Sequence, residues 1–165
     1  MSAGRLADRL RGRHPDLVLA RGEATIALDR SELLDVLDSL RTDDQVALDF
    51  LSSVTATDWP GRTPRYWVVY ELYSMTHRHR LRVKVGVPDG DERVPTVAEL
   101  FPTANWHERE VYDLFGITFE GHPDLRRIMM PEGWQGHPLR KTEELGGVDT
   151  PYRGAFIPPV DKRVR

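Results

Sequence analysis

Arg80-Leu81-Arg82-Val83-Lys84-Val85-Gly86-Val87 decides the fold, because it alternates without a break. Leu81, Val83, Val85 and Val87 share one face, and Arg80, Arg82 and Lys84 share the other. Successive side chains of a strand point to opposite faces. One face is therefore packed and the other wet, the pattern of an antiparallel sheet covered by helices on a single side. Upstream, Arg65 to Ser74 is a second strand, with Tyr66, Val68, Tyr70 and Leu72 on one face and Trp67, Val69 and Tyr73 on the other. A turn near Thr76-His77-Arg78 joins the two. Before them Val46, Leu48 and Phe50 alternate, and the run continues through Val54 towards Asp58. Pro60-Gly61 and Pro64 close it with a turn. These three runs predict a meander.

The flanks predict the second layer. Ser2 to Arg13 places Leu6 and Leu10 four apart, a short amphipathic helix. Leu17 to Leu19 and Thr25 to Leu28 flank Arg21-Gly22 and read as a hairpin. Asp29 with Glu32 forms a capping-box pattern ahead of Leu33, Val36, Leu37 and Leu40. Pro95-Thr96 with Glu99 repeats that pattern, and Asn105 with Glu108 restarts the helix after Pro102. Gly116 is a natural stop for it. The fold class expected is α+β: a two-layer sandwich of an antiparallel or mixed sheet with helices on one face, followed by a long extended C-terminal tail.

Composition sets the limits on function. The 165 residues contain no cysteine, so the chain supplies no thiolate to an iron–sulfur cluster, a zinc site or a covalent mechanism. A net charge of −3 gives no global basic field, so nucleic acid is not an expected partner. No apolar run approaches the roughly 20 residues of a membrane helix. The N-terminus lacks an apolar h-region, and no secretory signal is expected. Arginine outnumbers lysine 20 to 3 within the 23 cations. Arginine suits bidentate pairing with carboxylates, and biased codon usage gives the same skew.

A search for chemistry returns little. His77 and His79 stand two apart, at a turn without an evident third ligand, and read as surface histidines. His107-Glu108-Arg109-Glu110-Val111 begins like a zincin motif but has Val111 where the second histidine belongs. His122 and His137 each precede proline, a turn signature. No serine follows Ser74, and neither a nucleophile elbow nor a phosphate-binding glycine loop occurs. Glu108, Glu110 and Asp113 form a possible acid–base set, against which Arg109 stands four residues from Asp113, the spacing of a helical ion pair. No catalytic, cofactor-binding or metal site is expected.

From Gly121 onwards the composition changes. The 45 residues 121–165 hold six of the twelve prolines and six of the thirteen glycines. Ordering them costs about 1–2 kcal/mol per residue, which no periodic core within the segment offsets. Leu125, Ile128, Met129, Met130, Trp134, Leu139, Tyr152, Phe156 and Ile157 are spaced along it as apolar anchors. The division expected is an α+β domain over 1–120 and a partner-docking tail over 121–165, with wrapping over its own domain as the competing reading.

The stretch from Trp106-His107-Glu108-Arg109-Glu110-Val111-Tyr112-Asp113-Leu114-Phe115-Gly116-Ile117 through Gly121-His122-Pro123-Asp124-Leu125-Arg126-Arg127-Ile128 is distinctive. With Met130-Pro131-Glu132-Gly133-Trp134 and Gly136-His137-Pro138-Leu139-Arg140-Lys141 it resembles the signature of one hydrophilic subunit family of bacterial respiratory complex I, the counterpart of the mitochondrial 30-kilodalton subunit. That complex is the proton-pumping NADH:quinone oxidoreductase. Thr142 stands where the family often has an acidic residue after the Arg-Lys pair. The chain is also short for the family and looks like a free-standing subunit. The resemblance implies a non-catalytic structural subunit of the peripheral arm, at the cytoplasmic face of the bacterial membrane, attached to the membrane only through the complex. FMN and the iron–sulfur clusters would belong to partner subunits. It implies a tail that runs across the quinone-site subunit and its cluster-bearing neighbours, with Arg126, Arg127, Trp134, Arg140, Lys141, Tyr152, Arg153 and Phe156 as docking residues. The equivalent subunit of a membrane-bound nickel–iron hydrogenase or a ferredoxin:quinone complex shares much of the signature and stands as the alternative. A stand-alone metal-dependent hydrolase built on His107, Glu108 and Glu110 is the competing enzyme reading.

Overall fold

The structure, a computed structural model, describes residues 3–143. In chain order the elements are α1 (Ala3–Leu10), β1 (Val18–Ala20), β2 (Glu23–Leu28), α2 (Leu33–Thr42), β3 (Phe50–Asp58), β4 (Tyr66–Tyr73), β5 (Arg80–Val87), β6 (Arg93–Pro95), α3 (Ala104–Phe115) and β7 (Thr118–Glu120). Five strands form one sheet in the order β1-β2-β5-β4-β3. β3, β4 and β5 are the antiparallel meander, β1 and β2 the hairpin, and β2 runs parallel to β5, so the sheet is mixed. β6 and β7 make a separate parallel pair on either side of α3.

Leu81, Val83, Val85 and Val87 are buried, and so are Tyr66, Val68, Tyr70 and Leu72. They form one core with Leu6 and Leu10 of α1, Leu33, Leu37 and Leu40 of α2, and Val111 and Phe115 of α3. The three helices therefore cover one face, as the alternation requires. On the opposite face Lys84 lies 4.6 Å from the Trp67 ring centroid and Arg82 pairs with Glu71 and Glu23.

Local departures from the expected pattern have physical causes. The alternation from Val46 to Phe50 is not one strand. Val46 and Ala47 donate to the Asp43 carbonyl and Leu48 to that of Leu40, so Val46 and Leu48 are buried in a tight turn. β3 starts at Phe50, which is 44% exposed, and a bulge between Leu51 and Ser53 resets the parity so that Leu51, Val54 and Ala56 face inwards. Of the expected capping boxes, the first forms only by half, with Glu32 Oε2 accepting the Asp29 N–H at 3.3 Å, and the second does not form at a helix start. Asp29 turns its carboxylate onto the Ser31 N–H and hydroxyl, and α2 begins only at Leu33. The chain after Pro95 makes a turn bonded to the Val97 carbonyl, and α3 begins at Ala104 without a side-chain cap. The reading of His79 as a surface residue is also corrected. It is 3% exposed, with Nε2 donating to the Val46 carbonyl at 2.8 Å, because its ring fills the space under the 43–48 turn.

Leu72 sits at the centre of this core, and truncation to alanine leaves a cavity there. Leu72→Ala is expected to lower unfolding stability by about 2–5 kcal/mol, measured by urea denaturation. A loss under about 1 kcal/mol would mean the sheet face is not close-packed.

Candidate functional site

α3 brings the chemically interesting side chains together. Its C-terminus is set by Gly116, whose φ of 72° lies in the left-handed region and whose N–H closes onto the Tyr112 carbonyl at 2.9 Å. A Cβ there would stand 2.5 Å from the His137 ring. Glycine is required twice over, for the turn and for what packs on it.

Asp113 is fully buried at the face of α3 that the chain covers after β7. One carboxylate oxygen, Oδ2, accepts the backbone N–H groups of Ile128, Met129 and Met130 at 3.0, 2.7 and 2.9 Å. The other, Oδ1, accepts Arg127 Nη1 at 2.7 Å. Arg127 extends its second nitrogen to the Gly136 carbonyl at 3.0 Å, and His137 Nδ1 donates to the Asp113 carbonyl at 2.9 Å. Farther along, Leu139 N–H donates to the Leu114 carbonyl at 3.0 Å, and Arg140 Nε donates to that of Phe115 at 2.6 Å. Arg140 also lies over the Tyr66 ring, 5.4 Å from its centroid. The strap then ends on Asp58. That buried carboxylate, paired with Arg65 at 2.8 Å, accepts the Lys141 N–H at 2.8 Å.

The described part of the expected tail, 121–143, is therefore tied to its own domain. Without helix or strand it has many unpaired N–H groups, and the nearest acceptors are those of α3 and β3. Arg127 and Arg140, expected to meet partner carboxylates, are engaged inside the chain. Arg126 is exposed and pairs with Asp124 at 2.9 Å. Trp134 is half-buried, and the Lys141 side chain stands at the surface. Tyr152, Arg153 and Phe156 lie outside the described residues.

The expected ion pair between Arg109 and Asp113 is replaced. Arg109 stacks over Trp106 at 4.9 Å and donates to the Arg126 carbonyl at 3.2 Å, while Asp113 takes Arg127. The acidic residues of α3 do not converge as an acid–base set. Glu110 is exposed on another face, and Glu108 is fully buried against the turn after β6. Glu108 Oε2 accepts the Thr96 hydroxyl at 2.5 Å and Oε1 the Val97 N–H at 2.8 Å. Among the described residues no group of three or more His, Asp and Glu stands together as a metal site. His122 is held by its neighbours, with Nε2 donating to the Asn105 carbonyl at 3.1 Å and Nδ1 accepting the Asp124 N–H at 3.0 Å.

The two buried acids of α3 titrate in opposite directions. Burial pushes the Glu108 carboxyl up to about 7 against two hydrogen bonds. Burial also opposes ionisation of Asp113, but three backbone N–H groups and Arg127 outweigh it and hold that carboxyl below its usual value.

One surface feature was not legible as a motif. Ala56, Thr57, Asp58, Trp59, Phe115 and Leu139 line an apolar cavity of about 530 Å³ beside β3, an edge strand of the sheet, with Lys141 at its rim. Trp59 is 47% and Leu139 48% exposed there.

Residues 26–149 match the family described as respiratory-chain NADH dehydrogenase, 30 Kd subunit. The corresponding subunit of the NADH-quinone oxidoreductase of Nocardioides sp. is 47% identical over 150 residues, covering 90% of this chain and 60% of the relative. That of Mycobacterium avium is 46% identical over 148 residues, covering 89% and 63%. The chain thus spans about three fifths of the length of these relatives. Among solved structures, a trypsin-resistant fragment of Nqo5 matches with a TM-score of 0.64 at 34% identity, over 76% of this chain and 100% of the fragment. A structure of the membrane-bound sulfane sulfur reductase, an archaeal respiratory membrane complex, matches with a TM-score of 0.70 over 98% of both chains, at 24% identity a likeness of fold.

Glu108 yields a test with a definite sign. Its folded value lies above the unfolded one of 4.5, so its contribution is full below that value and is lost as pH rises through about 7. Stability is expected to fall by on the order of 2–3 kcal/mol between pH 5 and 8 from this group. Glu108→Gln still accepts the Val97 N–H and donates its amide to the Thr96 hydroxyl oxygen in place of accepting from it, and should flatten that slope in urea titrations. A slope unchanged in the variant would assign the pH dependence elsewhere.

Proposed function

Because the chain belongs to the family of the 30-kilodalton subunit of respiratory-chain NADH dehydrogenase, we propose that it is a non-catalytic structural subunit of the peripheral arm of proton-pumping NADH:quinone oxidoreductase. The observation that carries this reading is the engagement of the charged residues of its most distinctive stretch. Asp113, Arg127 and Arg140 are bonded to the chain's own backbone, which leaves them little to offer a substrate. They fix a strap, and the strap shapes a surface. Electrons pass from NADH through FMN and iron–sulfur clusters to quinone in neighbouring subunits, and this chain contributes to oxidoreductase activity only as part of that assembly.

The docking surface is the cavity beside β3. An edge strand offers unpaired backbone groups to an extended segment, and Trp59 and Leu139 supply the apolar anchors. Aromatic residues in partly desolvated pockets concentrate binding energy. Lys141 at the rim, with Arg126 exposed on the strap, meets carboxylates of the quinone-site subunit and its cluster-bearing neighbours, and Tyr152, Arg153 and Phe156 extend the contact. Attachment at the cytoplasmic face is through the complex, and no helix among the described residues is long and apolar enough to cross a membrane. Identities of 46–47% to chains of NADH-quinone oxidoreductases favour this assembly over a hydrogenase-type relative.

The test is purification of the complex through the tagged full chain. Wild type is expected to bring down a flavin-containing, NADH-oxidising assembly, whereas the isolated chain oxidises no NADH. Trp59→Glu with Leu139→Glu should reduce incorporation at least about tenfold while leaving the unfolding midpoint of the isolated chain unchanged, since both side chains are surface-exposed. Full incorporation of that variant would sink the docking assignment.

A further inference from the structure

The cavity beside β3 is bounded on one side by backbone. Trp59 N–H donates to the Arg65 carbonyl at 2.9 Å, one step beyond the register in which Asp58 faces Tyr66 and Thr57 faces Trp67. Bonded and non-bonded pairs alternate along an antiparallel ladder. Thr57 therefore turns its N–H and C=O towards β4, while Ala56 and Asp58 turn theirs away from the sheet. β3 is an edge strand, and none of these four outward groups has a hydrogen-bond partner among the described residues. Both residues line the cavity. The Asp58 side chain is fully buried whereas the residue is 6% exposed, so what it presents at the surface is main chain. Backbone donors and acceptors withdrawn from bulk water are ordinarily paired.

Ala56 and Asp58 share the inner face of the sheet. In a strand laid against this edge, the residues opposite them stand on the same face, about 6.6 Å apart. Their surroundings differ. Opposite Ala56 lies the cavity of about 530 Å³, walled by Phe115, Leu139 and Trp59, which the small alanine side chain leaves unfilled. Opposite Asp58 lies Lys141, whose N–H the Asp58 carboxylate accepts at 2.8 Å. That carboxylate is committed to Arg65 as well, and the exposed Lys141 ammonium has no ion pair among the described residues. Arg62 is also exposed without an ion pair there, and lies over the Trp59 ring at 4.9 Å. The rim of the cavity is therefore cationic.

We propose that β3 receives a strand of a partner subunit as the sixth strand of the sheet, paired to Ala56 and Asp58, with a large apolar residue and a carboxylate two positions apart. This rests on the reading of the cavity as the docking surface and names what docks there. Main-chain bonds at a sheet edge supply affinity, and pockets for alternate side chains supply the choice of segment. The apolar residue opposite Ala56 fills the cavity, and the carboxylate opposite Asp58 meets Lys141. A basic residue at that second position faces Lys141 and Arg62, and the like charges reject it.

The experiment uses the assembly purified through the tagged full chain. Ala56→Pro deletes one outward N–H and costs no ladder bond to β4, a placement at which edge strands tolerate proline. It should lower incorporation at least about tenfold with the unfolding midpoint of the isolated chain nearly unchanged. Lys141→Glu, at an exposed side chain, should also lower incorporation, and Lys141→Arg should restore it. Amide exchange at Ala56 and Asp58 is expected to slow at least about tenfold between the isolated chain and the assembly, a measurement that needs no substitution. Full incorporation of Ala56→Pro, while Trp59→Glu with Leu139→Glu still blocks it, would overturn strand pairing and leave the docking surface standing. Full incorporation of both variants would remove the surface as well. Exchange already slow in the isolated full chain would give the edge to the chain itself or to a second copy, and would overturn the partner strand.

Discussion

The carboxylate of Asp113 organises the described chain after β7. Three consecutive backbone N–H groups, from Ile128 to Met130, converge on one of its oxygens, and an arginine occupies the other. A segment rich in proline and glycine has no ladder in which to satisfy its own donors. Some acceptor must be carried to it by an element that is already rigid, and a buried aspartate on α3 meets that need. Once 128–130 is fixed, Arg127 reaches Gly136, His137 returns to the Asp113 carbonyl, and Arg140 closes over the end of the helix. The cavity beside β3 depends on the same chain of contacts, because Leu139 is placed by its bond to the Leu114 carbonyl. Removing one partner of a buried charge pair is costly because the other is left uncompensated, which gives this arrangement little tolerance for change.

The sheet was legible because its evidence in the residues is redundant. Eight alternating positions in β5 and eight in β4 agree on one inner face, and a slip of one residue would invert every side chain. Phe50 shows where this fails. A bulge adds one residue without any change in composition, so the parity of β3 cannot be carried back across Ser52. The capping boxes stay incomplete for a related reason. Asp29 and Thr96 have the right residue type at the right spacing, but local hydrogen bonds to Ser31 and Glu108 compete for the same side chains. The left-handed stop at Gly116 was readable, because few alternatives to glycine exist there.

The candidate site was legible in outline, but its contacts within the chain were not. Sequence alone marks Arg127, Arg140 and Lys141 as a cluster of cations, but charge does not say whether its acceptor lies on the same chain. The acceptors are mostly carbonyl oxygens, which no sequence pattern displays. Trp59 and Leu139 are far apart in the chain and meet only through the strap. The arginine excess also acquires a structural use. Arg65 joins Asp58, Asp89 and Thr142, and Arg127 joins Asp113 and Gly136, each through several nitrogens of one planar group. A lysine ammonium lacks that fixed fork, so replacement at these two positions would not be conservative, whatever the origin of the overall skew.

Glu108 and Asp113 lie on one helix, equally buried, and yet behave in opposite ways. The difference lies in the number of donors and in the presence of a cation. Two neutral donors leave Glu108 near neutrality, whereas three N–H groups and a guanidinium keep Asp113 ionised. A perturbed buried carboxyl is ordinarily a reason to suspect catalysis. In this fold the same observation has a structural explanation, because each carboxylate oxygen is already occupied by a segment of chain that it holds in place. Glu108 holds the turn after β6 and Asp113 holds the strap after β7, so the two acids clamp α3 from both sides. A helix clamped in this way presents a fixed surface, and a change of ionisation at either acid would loosen the chain it holds.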